Sequence, residues 1–354
     1  MCSSDLDSGT VMKSIVFNEN TRFPAGRDKM PASESGDDIY KYQPEYIMRQ
    51  GKNPGLGVKS LHERGITGKG VSVAVIDEPL ITDHPEYKGK IVEYRDFGSE
   101  AVSSMQGPAV ASLLAGENTG TAPGVKIYYA AVPAWDMYDA EYYAKALDWI
   151  IGINASLPDG EKIRAACISP NPENPSPWIN VNKYLASFKR AQEAGILVLD
   201  CTSEHGLVAG ACKYNFDEPE DVSLCKPVSL YRIFISGYHY SNVKDILNDE
   251  SEQLKEITIR VPAAYRTIAE AYGGEPEHSE YSYQYQYDGR GRLSWTLPYL
   301  TGVLAMGWQV NPELTPDMIT KILFDTAHVD HDGHKYINPV RFIEFIGDNG
   351  ENKK

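Results

Sequence analysis

From Gly55 onward the sequence alternates strands with helices, which predicts an α/β domain of three layers, a central parallel sheet covered by helices on both faces. Three observations carry that prediction. Val71-Ser72-Val73-Ala74-Val75-Ile76 is a β-branched run, apolar on both faces and ending in Asp77, the pattern of a buried central strand. Residues 103–116 read as a short helix of small apolar side chains, with serine at its start, Pro108 in its first turn and Gly116 at its end. Helix–strand units then repeat: 139–154 into a strand at 164–169, and 181–194 into a strand at 196–201.

The remaining elements follow in order. Residues 1–54 are polar and carry Pro24, Pro31, Pro44 and Pro54, so they read as an arm lying on the main domain. Within it, residues 1–6 resemble translated sequencing adapter and are expected to be an artefact, with the true start missing. The main domain is expected over 55–345 and a polar tail over 346–354. Residues 58–65 predict a short helix, and Thr121-Ala122-Pro123-Gly124 a turn into a strand at 125–131. An irregular stretch with Gly206 and Gly210 leads to a strand at 231–236, an acidic insertion at 242–256 and a strand at 257–261. The alternating Tyr281, Tyr283, Tyr285 and Tyr287 suggest a hairpin arm whose turn is Asp288-Gly289-Arg290-Gly291. A helix over 315–327 opens with Thr315-Pro316-Asp317. His328, His331 and His334 with Asp330 and Asp332 look at first like metal ligands, but the Asp-Gly turn favours a solvated loop.

Lys+Arg 34 against Asp+Glu 49 leaves a net charge of −15, which disfavours nucleic acid and anionic membranes as partners. No segment reaches the ~18 consecutive apolar residues of a membrane span. No basic region followed by an apolar core marks a signal peptide, so the compartment stays open with the cytoplasm slightly favoured. The cysteine total of five is too small and irregularly spaced for a disulfide framework. Cys167 and Cys201 read as buried hydrophobes, and Cys212 and Cys225 could pair across a loop, although the odd total speaks against it.

Two positions stand out for chemistry. Asp77 closes a central strand, and the carboxyl ends of such strands are where α/β proteins hold their sites; a turn aspartate is the plainer reading. Ser294 opens an apolar helix, beside backbone N–H groups that lack helical partners, a place suited to a nucleophile and its oxyanion. A serine there is also an ordinary N-cap. Both readings stay open on the residues alone.

The motifs add a resemblance. Residues 65–85 (GITGKGVSVAVIDEPLITDHP), 106–116 (QGPAVASLLAG), Ala122-Pro123-Gly124-Val125, and 293–302 with Asn311-Pro312-Glu313-Leu314-Thr315 resemble, in the correct order, four motifs of the subtilases, the S8 serine peptidases. The match covers about 55–327 and implies a subtilisin-like fold. MQGPAVAS and SWTLPY also look like a bacterial branch. The resemblance makes Asp77 the residue that orients the base and Ser294 the nucleophile. Where the family has its histidine base stands Gln106, and a carboxamide cannot take a proton near neutral pH. The family's oxyanion asparagine aligns with Glu204, and its substrate-edge segment with Ser169, Pro170, Asn171 and Pro172. His84 lies in the family's Asp-His-Pro motif and has a structural role there. His205 or Glu204 is the alternative base if the serine is active. The resemblance therefore implies a peptide- or protein-binding cleft on an impaired peptidase. The alternatives are an active serine endopeptidase with a reassigned base and a purely structural interaction domain. No cofactor and no metal site are expected; calcium is common in the family, but no ligand loop is visible here.

Overall fold

The computed structural model describes residues 16–18, 44–133, 138–169, 178–200, 207–228, 252–272 and 282–351. In chain order these hold β1 (Val16–Asn18), α1 (Pro44–Gly51), α2 (Val58–Glu63), β2 (Ser72–Asp77), β3 (Ile91–Asp96), α3 (Gln106–Ala115), β4 (Lys126–Ala131), α4 (Ala140–Ser156) and β5 (Ile163–Ile168). Next come α5 (Val181–Glu193), β6 (Leu197–Asp200), β7 (Val208–Lys213), β8 (Lys226–Pro227), α6 (Glu252–Ile257), β9 (Thr258–Pro262), β10 (Arg266–Tyr272) and β11 (Ser282–Asp288). The last are α7 (Thr296–Val310), α8 (Pro316–Asp325), β12 (His328–Val329), β13 (Lys335–Tyr336) and α9 (Pro339–Glu351).

The main sheet has the order β3-β4-β2-β5-β6, parallel throughout, with β2 at its centre. All six residues of β2 are buried, which is why that run carries apolar side chains on both faces. Alternate residues feed two cores. Val73, Val75, Tyr129, Ala165 and Cys167 pack with α3 and α7, and Ala74, Ile76, Tyr128, Ala166 and Ile168 pack with α4 and α5. This is the three-layer, subtilisin-like α/β arrangement. Period two then decides the position of Asp77 and Ser169: each shares a face with the residues two before it, so both belong to the side covered by α3 and α7.

A second sheet, in the order β12-β13-β9-β7-β8, mixes parallel and antiparallel pairs. It corrects the expectation of an irregular stretch around Gly210. Val208–Lys213 is strand β7, and Gly210 is needed for space, since a Cβ there would meet Thr258 Cγ2 at 2.9 Å. The strand expected at 231–236 lies outside the described residues.

A third sheet, β1-β11-β10, is antiparallel. The tyrosine alternation does form a hairpin strand, but Asp288-Gly289-Arg290-Gly291 is not the hairpin turn. It is the exit from β11 towards Ser294, closed by Asp288 Oδ1 accepting from Arg290 N at 3.1 Å and Gly291 N at 3.0 Å. The hairpin is made by β10 and β11, which are joined through residues 273–281, and β1 pairs along the other edge of β11. At the other end of the chain α9 runs through the expected boundary at 345, and Ile346 is buried.

Candidate active site

The loop after β2 brings α3 to the sheet. Asp77 Oδ1 accepts from Glu78 N at 2.7 Å, and Glu78 O accepts from the Tyr129 hydroxyl at 2.5 Å. Pro79 O accepts from Ser104 N at 2.9 Å, and Ser104 Oγ in turn accepts from Gln106 N at 3.1 Å and Gly107 N at 3.0 Å. Ser104 thus satisfies two of the helix-start amides that have no intrahelical partner. Gly107 explains how closely the parts approach, because a Cβ there would meet Pro79 O at 2.7 Å and the Tyr129 hydroxyl at 2.9 Å. The first residue of α3, Gln106, is therefore held beside Asp77 with 5% of its surface exposed.

Asp77 itself is fully buried. Burial pushes its carboxyl up to about 7; the Ser169 hydroxyl, the Glu78 N–H and the Gln106 amide favour the anion, while the Glu78 charge works against it. The donor set is thin. Neither Asp77 Oδ2 nor Gln106 Nε2 reaches a partner at sound hydrogen-bond geometry. Burial and the nearby Asp77 also push the Tyr129 hydroxyl and the Cys167 thiol up, so both stay protonated.

Ser294 lies in a 3₁₀ turn, Leu293–Trp295, that leads directly into α7. Leu293 and Trp295 are buried on either side of it, while Ser294 remains partly exposed. The turn is tied down by Thr296 Oγ1 donating to Leu293 O at 2.7 Å, and it packs against α3. Every residue from Thr296 to Trp308 is buried, and Gly302 lets α7 lie against Thr121, whose Cβ would be 2.7 Å from an added methyl. The end of β2 and the start of α3 thus meet at the carboxyl end of the main sheet, and the turn before α7 packs against α3.

That convergence agrees with the comparisons. The subtilase family model matches residues 68–347. The chain belongs to the subtilase family. Over 90 residues it is 31% identical to the subtilisin-like protease PopC of Myxococcus xanthus, covering 22% of this chain and 19% of that protein's length. Among solved structures it resembles subtilase cytotoxin SubAB, with TM-score 0.59, 14% identity, and coverage of 85% of this chain and 97% of the other. The prenylagaramide maturation protease PagA gives TM-score 0.56 at 16% identity, covering 82% and 98%. Fervidolysin of Fervidobacterium pennivorans, a keratinolytic enzyme related to subtilisin, gives 0.53 at 16%, covering 82% of this chain and 45% of its own. At these identities the structural likenesses speak to fold alone.

In this subtilase the sequence-predicted Asp77, Gln106 and Ser169 lie together, and the Ser294 turn packs on the helix that Gln106 starts. Ser169, expected at a substrate edge, is 2% exposed, and its hydroxyl lies close enough to Asp77 to favour the anion. Pro170, Asn171, Glu204 and His205 lie outside the described residues. His84 sits apart, buried and stacked on Tyr87 at 5.3 Å, with Nδ1 accepting from Glu86 N. Sequence reasoning missed Ser104, Tyr129 and the supporting place of Ser169; only the last had a signal, the two-residue parity along β5. Asp330, Asp332 and His334 do cluster, with ligand atoms within 4.8 Å of one another. Asp330 Oδ1 already accepts from Asp332 N at 3.0 Å and His334 N at 2.9 Å, as the predicted turn requires. Among the described residues no helix is long and apolar enough to cross a membrane.

Proposed function

We propose that this subtilase is a catalytically impaired member of its family, of the bacterial branch marked by MQGPAVAS and SWTLPY, which keeps the site as a groove for a peptide or protein. In this reading Asp77 holds the acid position, Ser294 the nucleophile position and Gln106 the position of the family's histidine. The observation that carries it is the placement of Gln106: buried beside Asp77, at the first position of the helix that packs on the Ser294 turn. A base must lie within hydrogen-bond reach of the serine and accept its proton. A carboxamide has no basic nitrogen. Loss of the histidine from such a triad costs about 10⁶ in turnover, and what remains comes from the oxyanion site and binding. The thin donor set around Asp77 supports the same reading, because an imidazolium at position 106 would favour its carboxylate more strongly than the neutral Gln106 amide does.

Fluorophosphonate labelling of Ser294, run on the natural chain and on Gln106→His in parallel, tests this. Labelling of the variant alone is the expected result. Comparable labelling of the natural chain would overturn the impaired reading and make Glu204 and His205 the base candidates. Labelling of neither would mean that the groove no longer supports acyl chemistry even with its base restored.

A further inference from the structure

The second sheet brings together two thiols that lie apart in the sequence. Cys212 is opposite Pro227 in the antiparallel β7–β8 pair, and Cys225, two residues before Pro227, is therefore on the same face. The two are diagonal neighbours at the end of the ladder, extended at Cys225, and both belong to the core beneath α7. Their side chains are hydrogen-bonded to each other as free thiols. Diagonal Cα atoms in such a pair lie about 7–8 Å apart, and a disulfide needs somewhat less. Cys225 is the first residue outside the β8 ladder, so it can move inward by the small distance required.

The loop between them is a clasp. Pro219 O accepts from Leu56 N at 2.8 Å, Glu220 Oε2 from Gly57 N at 2.6 Å, and Glu220 Oε1 from Asn53 Nδ2 at 2.8 Å. The segment it holds is conformationally costly, with positive φ at three successive residues, Gly55 (74°), Leu56 (53°) and Gly57 (77°). The leucine adopts that region only when its surroundings impose it. Tyr299 of α7 completes the clasp by donating to Gly55 O at 3.3 Å.

We propose that Cys212 and Cys225 form a disulfide in an oxidising medium, locking this loop onto residues 53–57. The oxidant is a small disulfide such as oxidised glutathione. Cys225, at 7% exposure against 0% for Cys212, is the approachable sulfur. Its thiolate attacks the small disulfide and releases one thiol; the Cys212 thiolate then displaces the second. Two protein thiols are oxidised, one external disulfide is reduced, and the two protons end on the released thiols. Cys212, fully buried, follows as the resolving sulfur.

The test equilibrates the full chain with oxidised or reduced glutathione, alkylates the remaining thiols and maps the digest by mass spectrometry. The expected product is a peptide pair joined through Cys212 and Cys225, absent from Cys225→Ser and from Cys225→Ala. Amide exchange at Leu56 and Gly57 should slow several-fold in the oxidised natural chain relative to the reduced one, with no such change in either variant. Alkylation of both cysteines after oxidation would overturn the proposal, as would a persistent glutathione adduct on Cys225 with Cys212 free. A cross-link that leaves the exchange of Leu56 and Gly57 unmoved would overturn the locking.

Discussion

Two carboxylates of this subtilase are closed off from solvent, and their acidities are shifted in opposite directions. Asp77 and Glu86 are each 0% exposed. Glu86 accepts from Asn118 N at 2.8 Å, Asn118 Nδ2 at 3.0 Å, both Thr119 donors at 3.3 Å and the Tyr285 hydroxyl at 2.5 Å. Burial pushes its carboxyl up, but the bonds from Tyr285, Asn118 and Thr119 outweigh that and hold it below the usual carboxylate range. Asp77, with the Glu78 N–H as its one well-formed donor among the described residues, is pushed up to about 7. Hydrogen-bond donors outweigh burial at Glu86 and do not at Asp77. The corner round Glu86 is served by five hydrogen bonds, whereas the corner round Asp77 has fewer.

The sharpest way to break this comparison is to remove the well-served acid. Glu86→Ala should destabilise the fold by about 3–5 kcal/mol, since it leaves several buried donors without an acceptor; the urea midpoint reads it. A loss below about 1 kcal/mol would mean that the bonds to Glu86 add little to stability. Asp77→Asn should act in the opposite direction. The folded-state pKa of Asp77 lies above its ordinary value of 3.8, so the folded chain binds the extra proton between the two values and stability falls as pH rises through that window. Relative to Asp77→Asn, the natural chain should lose up to about 4 kcal/mol between pH 4 and pH 7 and then level off. Thermal midpoints of the two chains across pH 4–9 give the difference; parallel profiles would show that Asp77 is charged throughout. Smallest is Tyr285→Phe, expected to cost about 1.5–3 kcal/mol by deleting one bond to a charged acceptor. For Glu86 the sign is reversed, because a lowered pKa gives stability that is present above about 4.5 and lost as pH falls through the folded value. Tyr285→Phe should therefore move the acid limb of the stability profile to higher pH, which acid titration of the two chains would detect.

Legibility in the sequence followed the range of the interactions. Asp77 at the end of a buried run and small residues along α3 are local patterns, and the main sheet and its helices can be read from them. Asn118 and Tyr285 reach Glu86 from 32 and 199 positions away, and no local pattern announces that. Strand β7 was hidden because Gly210 looks like a breaker, while its reason is the close approach of Thr258. The same holds for Gly116, which reads as a helix stop but has an ordinary φ of −57°; a Cβ there would meet Glu86 Oε2 at 2.7 Å.

By itself the sequence determined the three-layer α/β arrangement, the order of the motifs that carry the subtilase resemblance and the chemical fact that position 106 carries a carboxamide. These depend on residue type and on periods of 2 and 3.6, which are properties of the chain before it folds. Only the tertiary structure decided that Ser169 backs Asp77, that the tyrosine strand pairs with β10, that Cys212 and Cys225 touch, and that one buried acid is shifted up while the other is shifted down. Each of these depends on which distant donors and side chains arrive within a few ångströms, and that is settled by packing.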